Sequence, residues 1–168
     1  IQKKRILAEC SENFDESTTN IPLIDIKTIN AVSVGCIFSL IYILGYSYFE
    51  IKQNVICKKF ETLKNVSFMN FLSKYGIDSG NNLMKWLEDL MELKNVDKNI
   101  TLKDFYELNK IDFQIMATNL NKYSSTKFNY SCTPEVKVID AIRMSISIPF
   151  MFTTNKYKDD IQILSPDQ

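Results

Sequence analysis

The sequence predicts a single α/β domain, a central sheet flanked by helices, and three observations carry that prediction. Segments rich in β-branched residues alternate with segments whose apolar residues recur at helical spacing, the pattern of strands interleaved with helices. A run of 22 residues without charge, Thr28 to Phe49, begins β-branched and ends helical, so a strand passes directly into a helix. No internal repeat or linker divides the 168 residues, and a hydrophobic content of 45% is enough for one core.

Residues 1–23 read as a polar lead-in, with Cys10 to Asn20 as a loop. From Ile24 to Val34 the β-branched density (Ile24, Ile26, Thr28, Ile29, Val32, Val34) predicts a buried strand that ends at Ser33. Gly35 to Leu44 is apolar on every side apart from Ser39, the pattern of a helix surrounded by protein, and Gly45 is its C-terminal stop. Ser47 with Glu50 forms a capping box for an amphipathic helix carrying Ile51, Val55, Ile56, Phe60 and Leu63. A turn is expected over residues 74–80.

Asn81 to Lys94 places Leu83, Met84, Trp86, Leu87, Leu90 and Met91 on one helical face, a stripe that belongs in the core. Thr101 with Asp104 caps a short helix containing Leu102, Phe105, Tyr106 and Leu108. Asp112 to Asn119 alternates Phe113, Ile115 and Ala117 with Gln114, Met116 and Thr118, a strand whose partner is expected near Thr126 to Ser131, across a turn at Asn121 to Ser124. Thr133-Pro134 reads as an N-cap and first-turn proline opening a helix through Val138, Ala141, Ile142 and Met144. Pro149 stops that helix, and the tail after Phe152 is polar.

Twenty basic and twenty acidic residues cancel, and no Lys/Arg stripe interleaved with aromatics stands in for a net charge, so nucleic acid is excluded as a partner. The four cysteines, Cys10, Cys36, Cys57 and Cys132, form no CxxC pair. They are expected as free, buried thiols in a reducing, cytoplasmic compartment, with no zinc site. Histidine is absent, which removes the usual general base and metal ligand. The chain begins at Ile1 and shows no signal peptide, and a fragment or processed product of something longer is expected.

Within the uncharged run stands Ala31-Val32-Ser33-Val34-Gly35, one glycine short of GxSxG. The run can be read as a strand turning into a buried helix with a nucleophilic serine at the turn, as a membrane span, or as plain core. At a strand-to-helix turn the serine hydroxyl is pushed out of the sheet, and the Val34 N–H, with the helix N-terminus, faces any oxyanion that forms. Small neighbours suit so tight a turn: Gly35 meets that need, and Ala31 adds one methyl. Without histidine a Ser-His-Asp triad is impossible, so a base would have to be Asp, Glu or Lys.

Three blocks in this order resemble the patatin-like phospholipases. Thr28 to Ile37 followed by Leu44-Gly45-Tyr46-Ser47 is similar to that family's elbow, helix and LGYS continuation. Ile100 to Leu108 through Ala117-Thr118-Asn119-Leu120 is similar to its TFKELYE…ATNL block, and Ala141 to Phe150 to its AVRASxSIPxxF segment. The resemblance covers residues 24–158, which it marks as a patatin-like domain on a modified α/β-hydrolase-like sheet, truncated at its edges, with 159–168 as a polar tail. It implies a Ser/Asp dyad, with Ser33 as the nucleophile and Val34 as an oxyanion donor, cleaving acyl esters of lipids through an acyl-enzyme without metal or organic cofactor.

Two parts of the family pattern do not stand in this sequence. Residues 1–30 contain no glycine, so the glycine-rich oxyanion loop is not there, and Leu164-Ser165-Pro166 occupies the place of the Asp-Gly-Gly turn. Asp160 is the candidate for a displaced base, beside Asp159 and Asp167. The alternative reading is a patatin-like domain without catalysis, serving as an interaction or membrane-surface module. No transmembrane span is expected, because Thr28, Asn30, Ser33, Ser39 and Ser47 interrupt the uncharged run. Peripheral docking is compatible with lipid hydrolysis, with Tyr46, Tyr48 and Phe49 at a headgroup layer near Lys52, Lys58 and Lys59.

Overall fold

A computed structural model describes residues 26–56, 76–119, 122–148, 150–152, 155–157 and 161–163. The first strand, β1 (Thr28–Val32), runs into helix α1 (Val34–Ile43) with only Ser33 between them. The helix buries Cys36, Ile37, Leu40, Ile41 and Ile43, but its other face is open: Val34 is 59% and Phe38 58% exposed. A helix enclosed all round was the expectation, and among the described residues Val34 and Phe38 of this helix are exposed instead.

Gly45, at φ 71°, ends α1 by donating to Tyr42 O while Tyr46 N–H reaches back to Ile41 O, a Schellman closure that only a residue at ease in the left-handed region makes without strain. Ser47 and Glu50 then form the expected capping box at the start of α2 (Tyr48–Ile51). One continuous amphipathic helix was the expectation. Instead α2 passes into a π-helical turn at Lys52–Ile56, where the Asn54 side chain donates to Glu50 O at 3.0 Å and claims the carbonyl an α-helix would use. Phe60 and Leu63 lie outside the described residues.

Residues 74–80 were expected as a turn, yet Gly76–Asp78 form strand β2. Helix α3 (Asn81–Leu93) follows, burying Trp86, Leu87, Leu90 and Met91 as its periodicity predicts. Helix α4 (Leu102–Asn109) starts at Thr101, whose hydroxyl accepts the Asp104 N–H at 3.1 Å. Strand β3 (Asp112–Asn119) pairs parallel with β1, Ala31 opposite Ile115, and antiparallel with β4 (Ser124–Phe128), giving the order β1-β3-β4.

The β4 strand stops short of Ser131 because Asn129 is buried and folds the chain over: its Oδ1 accepts from Cys132 N–H, and its Nδ2 donates to Asp112. Thr133 does not cap a helix either. Its hydroxyl is engaged with the Asn129 backbone, so helix α5 begins only at Val138 (Val138–Ile146), with Lys137 as N-cap.

Helix α5 is the enclosed one: eight of its nine residues are buried, all but Asp140. It packs on β3, α1 and α3. Beyond it Phe150–Phe152 form β5, parallel to β2, and the stretch after Phe152, expected as a polar tail, contains a hairpin of β6 (Asn155–Tyr157) with β7 (Ile161–Ile163). Each of these short strands is defined by its pairing, β5 with the distant β2 and β6 with its neighbour β7. No helix among the described residues is long and apolar enough to cross a membrane.

Candidate functional site: the Ser33 elbow

Ser33 joins β1 to α1 with φ 52° and ψ −132°, a conformation that L-residues rarely hold. Such a residue costs about 1 to 3 kcal/mol and persists only where its surroundings fix it. The hydroxyl offers no compensation, since Ser33 occupies the N-cap position and makes no side-chain capping bond. The backbone does the closing instead, with Cys36 N–H donating to Ser33 O at 2.9 Å. A half-buried serine thus stands at the C-terminal end of a parallel strand, and its Oγ makes no capping bond to the helix it precedes.

Three neighbours complete the turn. The Ser33 N–H donates to Ser145 Oγ at 2.8 Å, the Cys36 thiol donates to the same oxygen at 3.3 Å, and Ser145 Oγ donates to Met116 O at 2.6 Å. The contacts draw together β1, α1, the last register pair of β1 with β3 (Val32 opposite Met116) and helix α5. Burial pushes the Cys36 thiol up from its ordinary range, against the smaller opposing effect of the Ser145 contact, so it stays protonated as the donor this arrangement needs.

The Val34 N–H belongs to the first turn of α1, where helix geometry supplies no acceptor. The tight-turn requirement for a small residue at Gly35 is not seen. A Cβ there would meet nothing within 4 Å, so the described neighbours do not demand glycine. Ala31 is buried and belongs to the core cluster.

Asp160, Asp159 and Asp167 lie outside the described residues. So do Cys10, Cys57, Lys58 and Lys59. Cys36 is a buried free thiol as expected, whereas Cys132 is free but exposed, because it sits on the Asn129 turn rather than on an element that packs. Tyr46 is buried with its hydroxyl donating to Leu90 O at 2.6 Å, so of the three aromatics assigned to a headgroup layer only Tyr48 and Phe49 are exposed. Ser145 escaped the sequence reading. Its setting, between Met144 and Ile146 with Arg143 and Ser147 close by, gives no local sign that its hydroxyl serves as acceptor for another strand.

A serine on a strained strand-to-helix turn, its hydroxyl free and a helix N-terminus behind it, defines the elbow arrangement of α/β serine hydrolase folds. The chain belongs to the patatin-like phospholipase family, whose sequence profile matches residues 19–164. It is similar to "Probable lipid hydrolase 463L" of Invertebrate iridescent virus 6, 28% identical over 143 residues that make up 82% of this chain and 49% of that protein. It is also similar to "Uncharacterized protein R571" of Acanthamoeba polyphaga mimivirus, 32% identical over 140 residues, 82% of this chain and 46% of the relative. "Uncharacterized protein YqhO" of Bacillus subtilis (strain 168) is 26% identical over 150 residues, 80% and 50% of the two chains. The chain spans about half the length of these curated relatives.

Proposed function

We propose that this domain is the nucleophile-bearing part of a lipid acyl hydrolase, with Ser33 as nucleophile and the Val34 N–H as an oxyanion donor. The observation that carries the reading is the conformation of Ser33: a strained turn whose hydroxyl takes no part in holding it. Ser33 Oγ would add to the carbonyl carbon of an acyl ester while its proton passes to a carboxylate. The ester C–O bond then breaks, the alcohol leaves with the proton, and water releases the acid from the acyl-serine. Asp160 is our candidate for the carboxylate.

The substrate is a fatty acyl ester presented at a lipid surface, reached from the cytoplasm without a transmembrane span. Support comes from the family and from the viral relative named as a probable lipid hydrolase. A competing reading, a patatin-like domain that does not hydrolyse, is favoured by Leu164-Ser165-Pro166 at the place of the dyad turn.

A fluorophosphonate probe and a p-nitrophenyl acyl ester separate the two. The hydrolase reading expects covalent labelling and ester turnover that vanish in Ser33→Ala, and weaken strongly in Asp160→Asn. Labelling equal in parent and Ser33→Ala would overturn it in favour of the non-hydrolysing domain.

A further inference from the structure

We propose that Ser145 is the positioning residue that holds the Ser33 elbow in its working conformation, an inference that rests on the hydrolase reading for its catalytic consequence but not for its structural one. A serine hydroxyl has one hydrogen and two lone pairs. At Ser145 all three are used: the hydrogen goes to Met116 O at 2.6 Å, and the lone pairs receive Ser33 N–H at 2.8 Å and Cys36 S–H at 3.3 Å. The oxygen cannot rotate to another partner without leaving one of these groups unsatisfied in a buried place, which is why the arrangement is stiff.

The amide it receives is that of the strained residue itself. In an ordinary strand the N–H of the last residue looks along the ladder. Ser33 lies one residue past the last β1–β3 register pair, Val32 opposite Met116, and its N–H takes as acceptor a side chain from another element, Ser145 Oγ. Helix α5 supplies that side chain from a residue that is 9% exposed, and its contacts with β3 and α1 keep it in place. The clamp therefore acts on the peptide before the nucleophile and leaves the Val34 N–H behind it unengaged.

Amide exchange read by NMR tests the clamp independently of activity. In the parent chain the Ser33 N–H should exchange much more slowly than the Val34 N–H next to it. In Ser145→Ala protection at Ser33 should fall by about tenfold or more relative to Ile115 in the core, the loss expected for one buried hydrogen bond. Ser145→Thr, which keeps the hydroxyl, should restore it. If Ser33 exchanges as fast as Val34 in the parent chain, the clamp is overturned, and that comparison needs no variant to fold.

The fluorophosphonate rate supplies the catalytic arm. Ser145→Ala should lower the labelling rate at saturating probe by about tenfold or more with little change in half-saturation, and Ser145→Thr should recover most of it. Lost protection at Ser33 with an unchanged labelling rate would overturn the positioning role. Absence of Ser33-dependent labelling in the parent chain would sink the hydrolase reading instead, and the exchange measurement would still decide on the clamp.

Discussion

Two strand-to-helix turns in this molecule solve the same geometric problem with opposite chemistry. At the first, β1 reaches α1 through Ser33 at φ 52°; at the second, β2 reaches α3 through Ser79 and Gly80 at φ 72°. Glycine holds that second conformation without strain, and a larger residue there would also require the Arg143 side chain to shift. A Cβ at position 80 would stand 2.9 Å from Nε of Arg143. Both turns are tied to helix α5, the first through Ser145 and the second through Arg143, whose guanidinium donates to Ser79 O at 3.0 Å, bonds Ser147 and lies 5.2 Å from the Phe152 ring centre. Burial pushes the Arg143 guanidinium down from its ordinary range while Asp78 beside it favours its charge.

The contrast teaches where strain is tolerated. A turn that only has to redirect the chain is given to glycine and packed against a buried cation. The turn at Ser33 keeps a side chain at a cost of about 1 to 3 kcal/mol, and on our proposal the bond from Ser145 on α5 offsets part of it.

The largest effect we expect divides the two turns by function. Ser33→Ala should lower ester turnover by at least about 10³-fold with the fold intact, the scale seen when a nucleophile is removed. Gly80→Ala should leave labelling of any folded fraction unchanged but destabilise the domain by about 2 to 4 kcal/mol in urea titration, since the new Cβ is both strained in φ and driven into Arg143. Equal stability in Gly80→Ala would break the comparison.

Tyr46, at the far end of α1 from Ser33, gives a reference that belongs to neither turn. Burial, with Glu50 nearby, pushes its phenol up from 10 to about 12. A raised folded value means that its contribution is fully present below the unfolded value of 10 and is lost as pH rises from 10 towards 12. Tyr46→Phe should cost about 1 to 2 kcal/mol at neutral pH by leaving Leu90 O unpaired, and melting curves of the variant should lose that part of the alkaline decline. The smallest effect is Ser33→Gly, inactive but more stable by up to about 1 kcal/mol in calorimetry, because strain is relieved while the unfolded chain gains freedom. Destabilisation instead would mean that Ser33 is not strained.

Much of this architecture was legible in the sequence. The Ser47/Glu50 and Thr101/Asp104 caps, the Gly45 stop, the Trp86 to Met91 stripe and the Phe113-Ile115-Ala117 alternation all report interactions within a few residues, and each stands where the pattern puts it. What was not legible depends on partners far along the chain. Strand β2 exists because Phe150–Phe152 lies beside it, α5 starts late because Thr133 is engaged by Asn129, and the open face of α1 reflects what does not pack there. At the site, Ser33 was readable from its motif and Ser145 was not, since nothing local marks a serine in a buried helix as the acceptor for an amide on another strand.

The bond from Ser33 N–H to Ser145 Oγ spans 112 positions of chain. During synthesis, at about 5 to 20 residues per second, the elbow residue therefore emerges several seconds before the group that fixes it. Until helix α5 has been made and has docked, the serine can relax to an ordinary backbone geometry. On the hydrolase reading we propose, the reactive shape is a product of completed assembly, and a nascent chain that stalls before position 145 carries Ser33 without the contact that poises it.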